Sequence, residues 1–423
     1  MIEGNSIMLG KKKNAEMHTN NTKQLVTDYF LLVFLIAVSG IPFFSYTIFW
    51  IVGLAAALVV AHLRNSLFLI RSKTLILYTV IFTLIILFQA IQFSLFSITT
   101  FVGFIIKTTF AFLVISLLDK KILTYFVQVI VVISLISFFF WLPNLILGQS
   151  FEQLLSTGLA PFFKSPFYEP GSFYREASTI IIYTFNSYGF GINVPRNSGA
   201  FWEPGAFAGM IIMALIFDLI QTNGKPGRNF LILTLALVTT FSTTGYVTLG
   251  FIMLSLAVSK ARWYVSVITI PVILLIFTVL FTRIPFLESK IRHQLRLGVN
   301  DQYVGSRFVN AQRDFKDFGE YPIFGRGQSK ETRFDTNISE LMHRNNGVTD
   351  FLVKWGITGF FIYFLFVLNS FYRICDYYSF KKYFALVSLV TIWLIGFSEI
   401  WFNKPFFMGL VFLGEVFRKS ADE

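Results

Sequence analysis

Residues 74–93 read TLILYTVIFTLIILFQAIQF, and residues 96–118 read FSITTFVGFIIKTTFAFLVISLL. The first run has no charged side chain and the second has only Lys107. As helices rising about 1.5 Å per residue, both are long enough to cross about 30 Å of hydrocarbon. At that depth a helix satisfies its own backbone hydrogen bonds, so this pair decides the fold class. Further apolar runs lie at 27–42, 44–61, 121–142, 199–220, 229–242, 244–258, 263–281, 348–371, 383–400 and 405–417. The whole chain is 55% hydrophobic and 14% charged, against roughly 25% charged residues in soluble domains. The expected architecture is an all-α polytopic membrane protein with about twelve transmembrane helices.

Basic residues punctuate the runs: Lys11, Lys12 and Lys13; Arg64, Arg71 and Lys73; Lys120 and Lys121; Lys225 and Arg228; Lys260 and Arg262; Lys381 and Lys382; Arg418 and Lys419. These short loops are expected on the cytoplasmic side. Runs 229–242 and 244–258 are short, but basic loops at both outer ends require an even number of crossings there, which places both termini inside. The first 25 residues lack the charged, apolar and small-residue pattern of a cleaved signal, so the first span is expected to stay as an anchor. A single cysteine, Cys375, allows no internal disulfide and reads as a small apolar filler.

The expected organisation is a cytoplasmic tail at 1–26, N-terminal helices at 27–142, an outward loop at 143–198, central helices at 199–281, a second outward loop at 282–347, and C-terminal helices with a short tail at 348–423. Both loops are too long to be simple connections. The second is rich in arginine and lysine on the side where such charge is not favoured, which calls for an anionic partner or for lipid headgroups. Nucleic acid is not an expected partner. The span-borne charges Lys107, Asp218, Lys354 and Glu399 keep a transporter or lipid-linked oligosaccharide flippase in view. Against it, no internal repeat beyond Glu-Pro-Gly at 169–171 and 203–205, and no broken span, is legible. Lys107 is expected to pair with a carboxylate.

In the first loop, Arg196 precedes Glu203-Pro204-Gly205. Pro204 suits the first turn of a helix, and Glu203 at its N-terminus is favoured by the helix dipole. Glu203 could equally orient Arg196 or take a proton from a sugar hydroxyl. In the second loop, Phe308, Ala311, Phe315 and Phe318 follow Arg307 at helical spacing, predicting an amphipathic helix on the membrane surface or against the bundle. The turn Tyr321-Pro-Ile-Phe-Gly-Arg-Gly327 follows, with glycines whose backbone amides could approach a phosphate. His343, Asn346 and Asp350 would share one helix face if the tenth span began early. The four histidines have no metal-binding spacing, so a metal-free, cofactor-free site is expected.

The succession Arg196, Gly199-x-Phe201-x-Glu203-Pro-Gly205-x-Phe207-Ala208, Arg307, Pro322-Ile-Phe-Gly-x-Gly327, Asn346 and Gly356-Ile-x-Gly359 resembles the O-antigen polymerase and O-antigen ligase superfamily over roughly residues 190–360. The resemblance implies a type-C glycosyltransferase-like fold in the bacterial inner membrane. Glycan would be transferred on the outer leaflet from an undecaprenyl diphosphate carrier, with membrane lipids and a chain-length regulator as further partners. In the ligases the tenth-span motif begins His-Asn. Here Asn345 fills the histidine position, Asn346 follows, and His343 is displaced by two residues. That departure favours a polymerase over a ligase. The paired-arginine spacing of some polymerases is also missing, since Phe207 and Phe318 stand eleven residues after Arg196 and Arg307.

The implied reaction is attack by a sugar hydroxyl on the anomeric carbon of a glycan whose leaving group is the lipid diphosphate. Planar, bidentate guanidinium groups suit the charge that develops on that group. Arg196 and Arg307 are the first candidates for the diphosphate clamp, followed by Arg326, Arg333 and Arg344, with Glu203 or His343 assisting deprotonation.

Overall fold

The computed structural model describes residues 22–159, 162–163, 178–186, 194–260, 307–333 and 346–418. The span expected at 263–281, most of the second loop before Arg307, the Glu-Pro-Gly at 169–171, and His343, Arg344 and Asn345 lie outside the described residues.

The described chain is nearly all helix. Six helices are long and apolar enough to cross a membrane: α1 Thr22–Gly40, α3 Lys73–Phe93, α4 Ile98–Leu118, α5 Lys121–Leu147, α7 Pro204–Gln221 and α12 Gly347–Tyr377. Five shorter apolar helices fall on other expected spans: α2 Thr47–Leu63, α8 Arg228–Thr239, α9 Thr243–Lys260, α13 Phe384–Ser398 and α14 Pro405–Val416. Of the expected apolar runs, the described residues show six as full-length helices and five as short ones, while the run at 263–281 lies outside them, so the count of about twelve crossings is not confirmed.

The short helices end where connections tuck into the bundle. Between α13 and α14, Trp401 and Phe402 are fully buried, and Phe406 in the first turn of α14 donates its amide to Ser39 Oγ on α1 at 2.9 Å. Between α8 and α9, Thr240 and Ser242 are buried and hydrogen-bonded. Helix α7 lies at the centre, and nearly every residue from Pro204 to Ile220 is buried.

Several boundaries depart from expectation. Helix α5 continues through Pro143 to Leu147, because a proline removes one hydrogen bond without ending a helix supported on either side. The expected start of the sixth span at 199 moves to Pro204, with Glu203 as N-cap. The first loop has secondary structure of its own. It contains helix α6 Gln149–Gly158 and a small antiparallel sheet of β1 Ser178–Thr179, β2 Thr184–Asn186 and β3 Arg196–Asn197. Ile180, Tyr183 and Phe185 from that region pack on Phe140 and Trp141 of α5.

Helix α12 is broken at Gly356, where φ is 63° and ψ is −177°, so the expectation of unbroken spans is corrected. The amides and carbonyls freed there are taken up by the 321–327 turn. Ile357 and Thr358 donate to the Pro322 and Ile323 carbonyls at 2.8 and 3.2 Å, while Arg326 and Gly327 donate to the Val353 and Lys354 carbonyls at 2.8 and 3.1 Å. Gln89 Nε2 on α3 bonds the Phe324 and Lys354 carbonyls. Phe324 stacks on Phe88 with ring centroids 4.7 Å apart. A break in a membrane helix is tolerated where such partners satisfy the backbone. A Cβ on Gly325 would lie 2.5 Å from the Gly356 nitrogen, so the two glycines are what lets the strands of backbone touch. The amides of Gly325 and Gly327 are thus spent on protein carbonyls, which corrects their reading as phosphate ligands.

The helix α10 Arg307–Glu320 forms as expected and packs against the bundle by its polar face. Asn310, Ala311 and Asp314 face α12, while Phe308 and Phe315 stay exposed. The polar face turns inward because its carboxylate has a buried arginine to meet.

Candidate active site

Arg196 is fixed by the sheet and by α5. The Trp141 indole donates to the Pro195 carbonyl at 2.8 Å, and the Asn197 amide donates to the Ser137 and Thr239 hydroxyls, both at 2.9 Å. The half-buried Arg196 guanidinium then donates to the Thr240 and Phe241 carbonyls, each at 3.3 Å. These carbonyls lie at the C-terminal end of α8, where a cation complements the dipole. Burial pulls the guanidinium below its usual range, against the attraction of Glu203 and with the repulsion of Arg307.

Arg307 arrives from the second loop as the first residue of α10. Its Nε donates to the Ser398 carbonyl at 3.0 Å, and Nη2 lies 3.4 Å from Glu399 Oε1 and 4.0 Å from Glu203 Oε1. Trp202 Nε1 donates to Glu399 Oε2 at 3.2 Å. Glu399 is 5% exposed just beyond the end of α13, whereas the Glu203 side chain is 40% exposed at the start of α7. Burial first, then the charge and hydrogen bond of Glu203, push the Glu399 carboxyl well above the usual carboxylate range. Glu203 presents the more accessible oxygen of the two acids, while the Glu399 carboxyl is enclosed. Gly205 makes this possible, since a Cβ there would sit 2.5 Å from Glu399 Oε1.

Two arginines and two acids from the first loop, the second loop and the α13–α14 connection thus meet at one end of the bundle. Residues 229–364 match the Wzy_C family model, described as O-Antigen ligase. The match covers less than half of the chain, as one O-antigen ligase domain, and is consistent with the O-antigen polymerase and ligase superfamily. No curated protein matches the chain. The domain contains Arg307, Arg326, Arg333, Asn346 and Asp350, while Arg196, Glu203 and Glu399 lie outside the matched residues. With its apolar helices, the chain is a multi-pass membrane protein carrying that domain.

The remaining candidates in the domain sit apart from the arginine pair. Arg333, 1% exposed on the short helix α11 Lys330–Arg333, meets Asp314 at 2.6 Å, Asp317 at 2.8 Å and Asp350 at 3.4 Å. Thr349 donates to Asp314 at 2.6 Å, and Lys354 meets Asp350 at 2.6 Å. This network fastens α10 and α11 to α12, and it encloses Arg333 on all sides. Arg326 pairs with Glu320, reaches the Thr332 carbonyl at 3.5 Å and lies over the Tyr321 ring. Asn346 caps α12, its side-chain oxygen accepting the Val348 and Thr349 amides at 3.1 and 3.2 Å. His343 does not enter this geometry because it lies outside the described residues. Lys107, expected to pair with a carboxylate, instead donates to the Asn403 carbonyl at 3.3 Å and lies over the Trp50 ring at 4.8 Å.

Glu399 and Trp202 were missed as site residues in the sequence. The signal for Glu399 was an acid within an apolar C-terminal run, which pointed equally to a transport pathway.

Proposed function

We propose that this protein is a polysaccharide polymerase that joins polyprenyl-diphosphate-linked repeat units by metal-independent glycosyl transfer on the outer leaflet. The observation that carries the reading is the convergence of Arg196 and Arg307, from different loops, on Glu203 and Glu399. Two guanidinium groups at one end of an apolar bundle suit a lipid-borne diphosphate, whose leaving oxygen gains charge as the glycosidic C–O bond breaks. The acceptor hydroxyl oxygen forms the new bond to the anomeric carbon. Its proton passes to the accessible Glu203 carboxylate, and the electron pair of the broken bond leaves with the diphosphate.

Glu399 keeps Arg307 and Glu203 in register through its buried hydrogen bonds. Arg333 is assigned to docking the second loop, and Arg326 to bracing the turn beside the α12 break. Arg344 and His343 stay as candidate contributors from the same loop. The ligase reading is favoured by the description of the matching family, and the polymerase by Asn345 in the ligases' histidine position.

One assay separates them. Purified protein in lipid nanodiscs is given lipid-linked repeat units, with and without lipid A-core. A ladder of elongated lipid-linked glycan without lipid A-core supports the polymerase. Product formed only when lipid A-core is present makes it a ligase, and no product in either case removes the glycosyl-transfer reading.

A further inference from the structure

Beside the arginine pair lies a second cationic group that the reaction above leaves unused. Lys107 on α4, Lys354 on α12 and Lys404 in the α13–α14 connection are all half-buried and close enough to repel one another. The connection ties them together: Asn403 accepts Lys107 Nζ on its carbonyl at 3.3 Å and the Trp355 indole on its side-chain oxygen at 3.4 Å. Indole faces flank the group, with Lys107 Nζ over Trp50 at 4.8 Å and Lys404 Nζ over Trp202 at 5.1 Å.

Two acids face the lysines. Asp350 is already shared between Lys354 and Arg333, and Glu399, which also attracts Lys404, between Arg307 and Trp202. Three ammonium groups brought together from separate elements of an apolar bundle carry a steep electrostatic cost, which an entering anion would relieve. Ammonium groups act as compact point charges suited to phosphate, in contrast to the planar fork of the neighbouring arginines. Trp202 and Glu399 stand at the boundary between the two cationic groups, since Trp202 touches both Lys404 and Glu399.

We propose that Lys107, Lys354 and Lys404 form a second anion site, which takes the diphosphate of a second carrier-linked substrate while Arg196 and Arg307 hold the first. The proposal rests on the glycosyl-transfer reading, because joining two carrier-linked glycans brings two diphosphates to one active site.

The test is titration of inorganic pyrophosphate by calorimetry into the protein in phosphatidylcholine nanodiscs. Wild type is expected to bind at two sites. Lys107→Met and Lys404→Gln should each weaken one site about ten- to a hundredfold and leave the other unchanged. Arg196→Gln and Arg307→Gln should do the reverse. Lys107→Arg keeps the charge and should retain both sites, which separates loss of charge from loss of fold.

A single, arginine-dependent site in wild type, or two sites indifferent to both lysine substitutions, overturns the proposal. Loss of only the arginine-dependent site from the expected pattern would count against the clamp, and so against the proposed function, while leaving the lysine site standing. In discs containing phosphatidylglycerol, retention of both sites supports a carrier diphosphate as the occupant. Selective disappearance of the lysine-dependent site there assigns it to lipid headgroups and overturns the second-substrate claim.

Discussion

Replacing Gly325 with alanine should unfasten the second loop from the broken helix. Gly325 has φ of 76°, and an added Cβ would meet the Gly356 nitrogen and the Val353 carbonyl oxygen at 2.5 Å, both rigid backbone atoms. The positive φ alone costs about 1–2 kcal/mol for a residue with a side chain. Relief of the clash requires the turn to move away, which strains four backbone hydrogen bonds: Arg326 to Val353, Gly327 to Lys354, Ile357 to Pro322, and Thr358 to Ile323. At about 1 kcal/mol for each bond lost, and with only part of them surviving, the junction should weaken by about 3–5 kcal/mol. A factor of ten corresponds to about 1.4 kcal/mol, so opening of the junction becomes about a hundred- to several-thousandfold more frequent. Hydrogen exchange with mass spectrometry on the protein in nanodiscs reads this directly. The amides of Arg326, Gly327, Ile357 and Thr358 should be protected in wild type and lose protection in Gly325→Ala, with α7 unaffected. Equal protection in the two proteins would refute the claim that these glycines hold the break together.

Arg333→Gln should destabilise the protein by about 3–5 kcal/mol, because it leaves the buried carboxylate of Asp314 and its neighbours without their cation. Thermal unfolding in detergent checks it, and a melting temperature equal to wild type would show that the network is dispensable. For Glu399, a folded-state pKa raised above the ordinary value of about 4.3 means that the folded state retains a proton the unfolded chain gives up. Stability is therefore lost as pH rises from about 4.3 toward that raised value. Glu399→Gln carries no such penalty, so its melting temperature should gain on wild type as pH rises through this window. A gap that stays constant with pH would contradict the upward displacement of the Glu399 carboxyl.

Much of the helical framework was legible because an apolar run of 15 or more residues has few alternatives to a buried helix. The runs at 74–93 and 96–118 correspond closely to α3 and α4. The N-terminus of α7 was legible for a local reason as well, since Pro204 and Glu203 are both favoured in the first turn whatever lies around them. The break at Gly356 was not legible, because its cause is a turn some thirty residues earlier whose backbone fits against it. Likewise, the choice left open for α10 between the membrane surface and the bundle was not legible from its phenylalanines. What decided it was Arg333, a cation that reaches Asp314 from another element. Arg196, Arg307 and Glu203 could be singled out one by one, but Glu399 becomes interpretable only when α13 brings it over the start of α7.

The most direct test of the paired-arginine site is glycan length in a host deleted for its own polymerase and supplied with the cognate repeat unit. Wild type, Arg196→Ala and Arg307→Ala are compared at matched membrane abundance. Loss of a charge-stabilising donor costs about 3–4 kcal/mol in the transition state, or about 100- to 1000-fold in rate. Wild type should therefore give a ladder of repeat units that collapses to single units in each arginine variant. A full ladder in either variant, or single units with wild type itself, would contradict polymerisation by a guanidinium-clamped diphosphate.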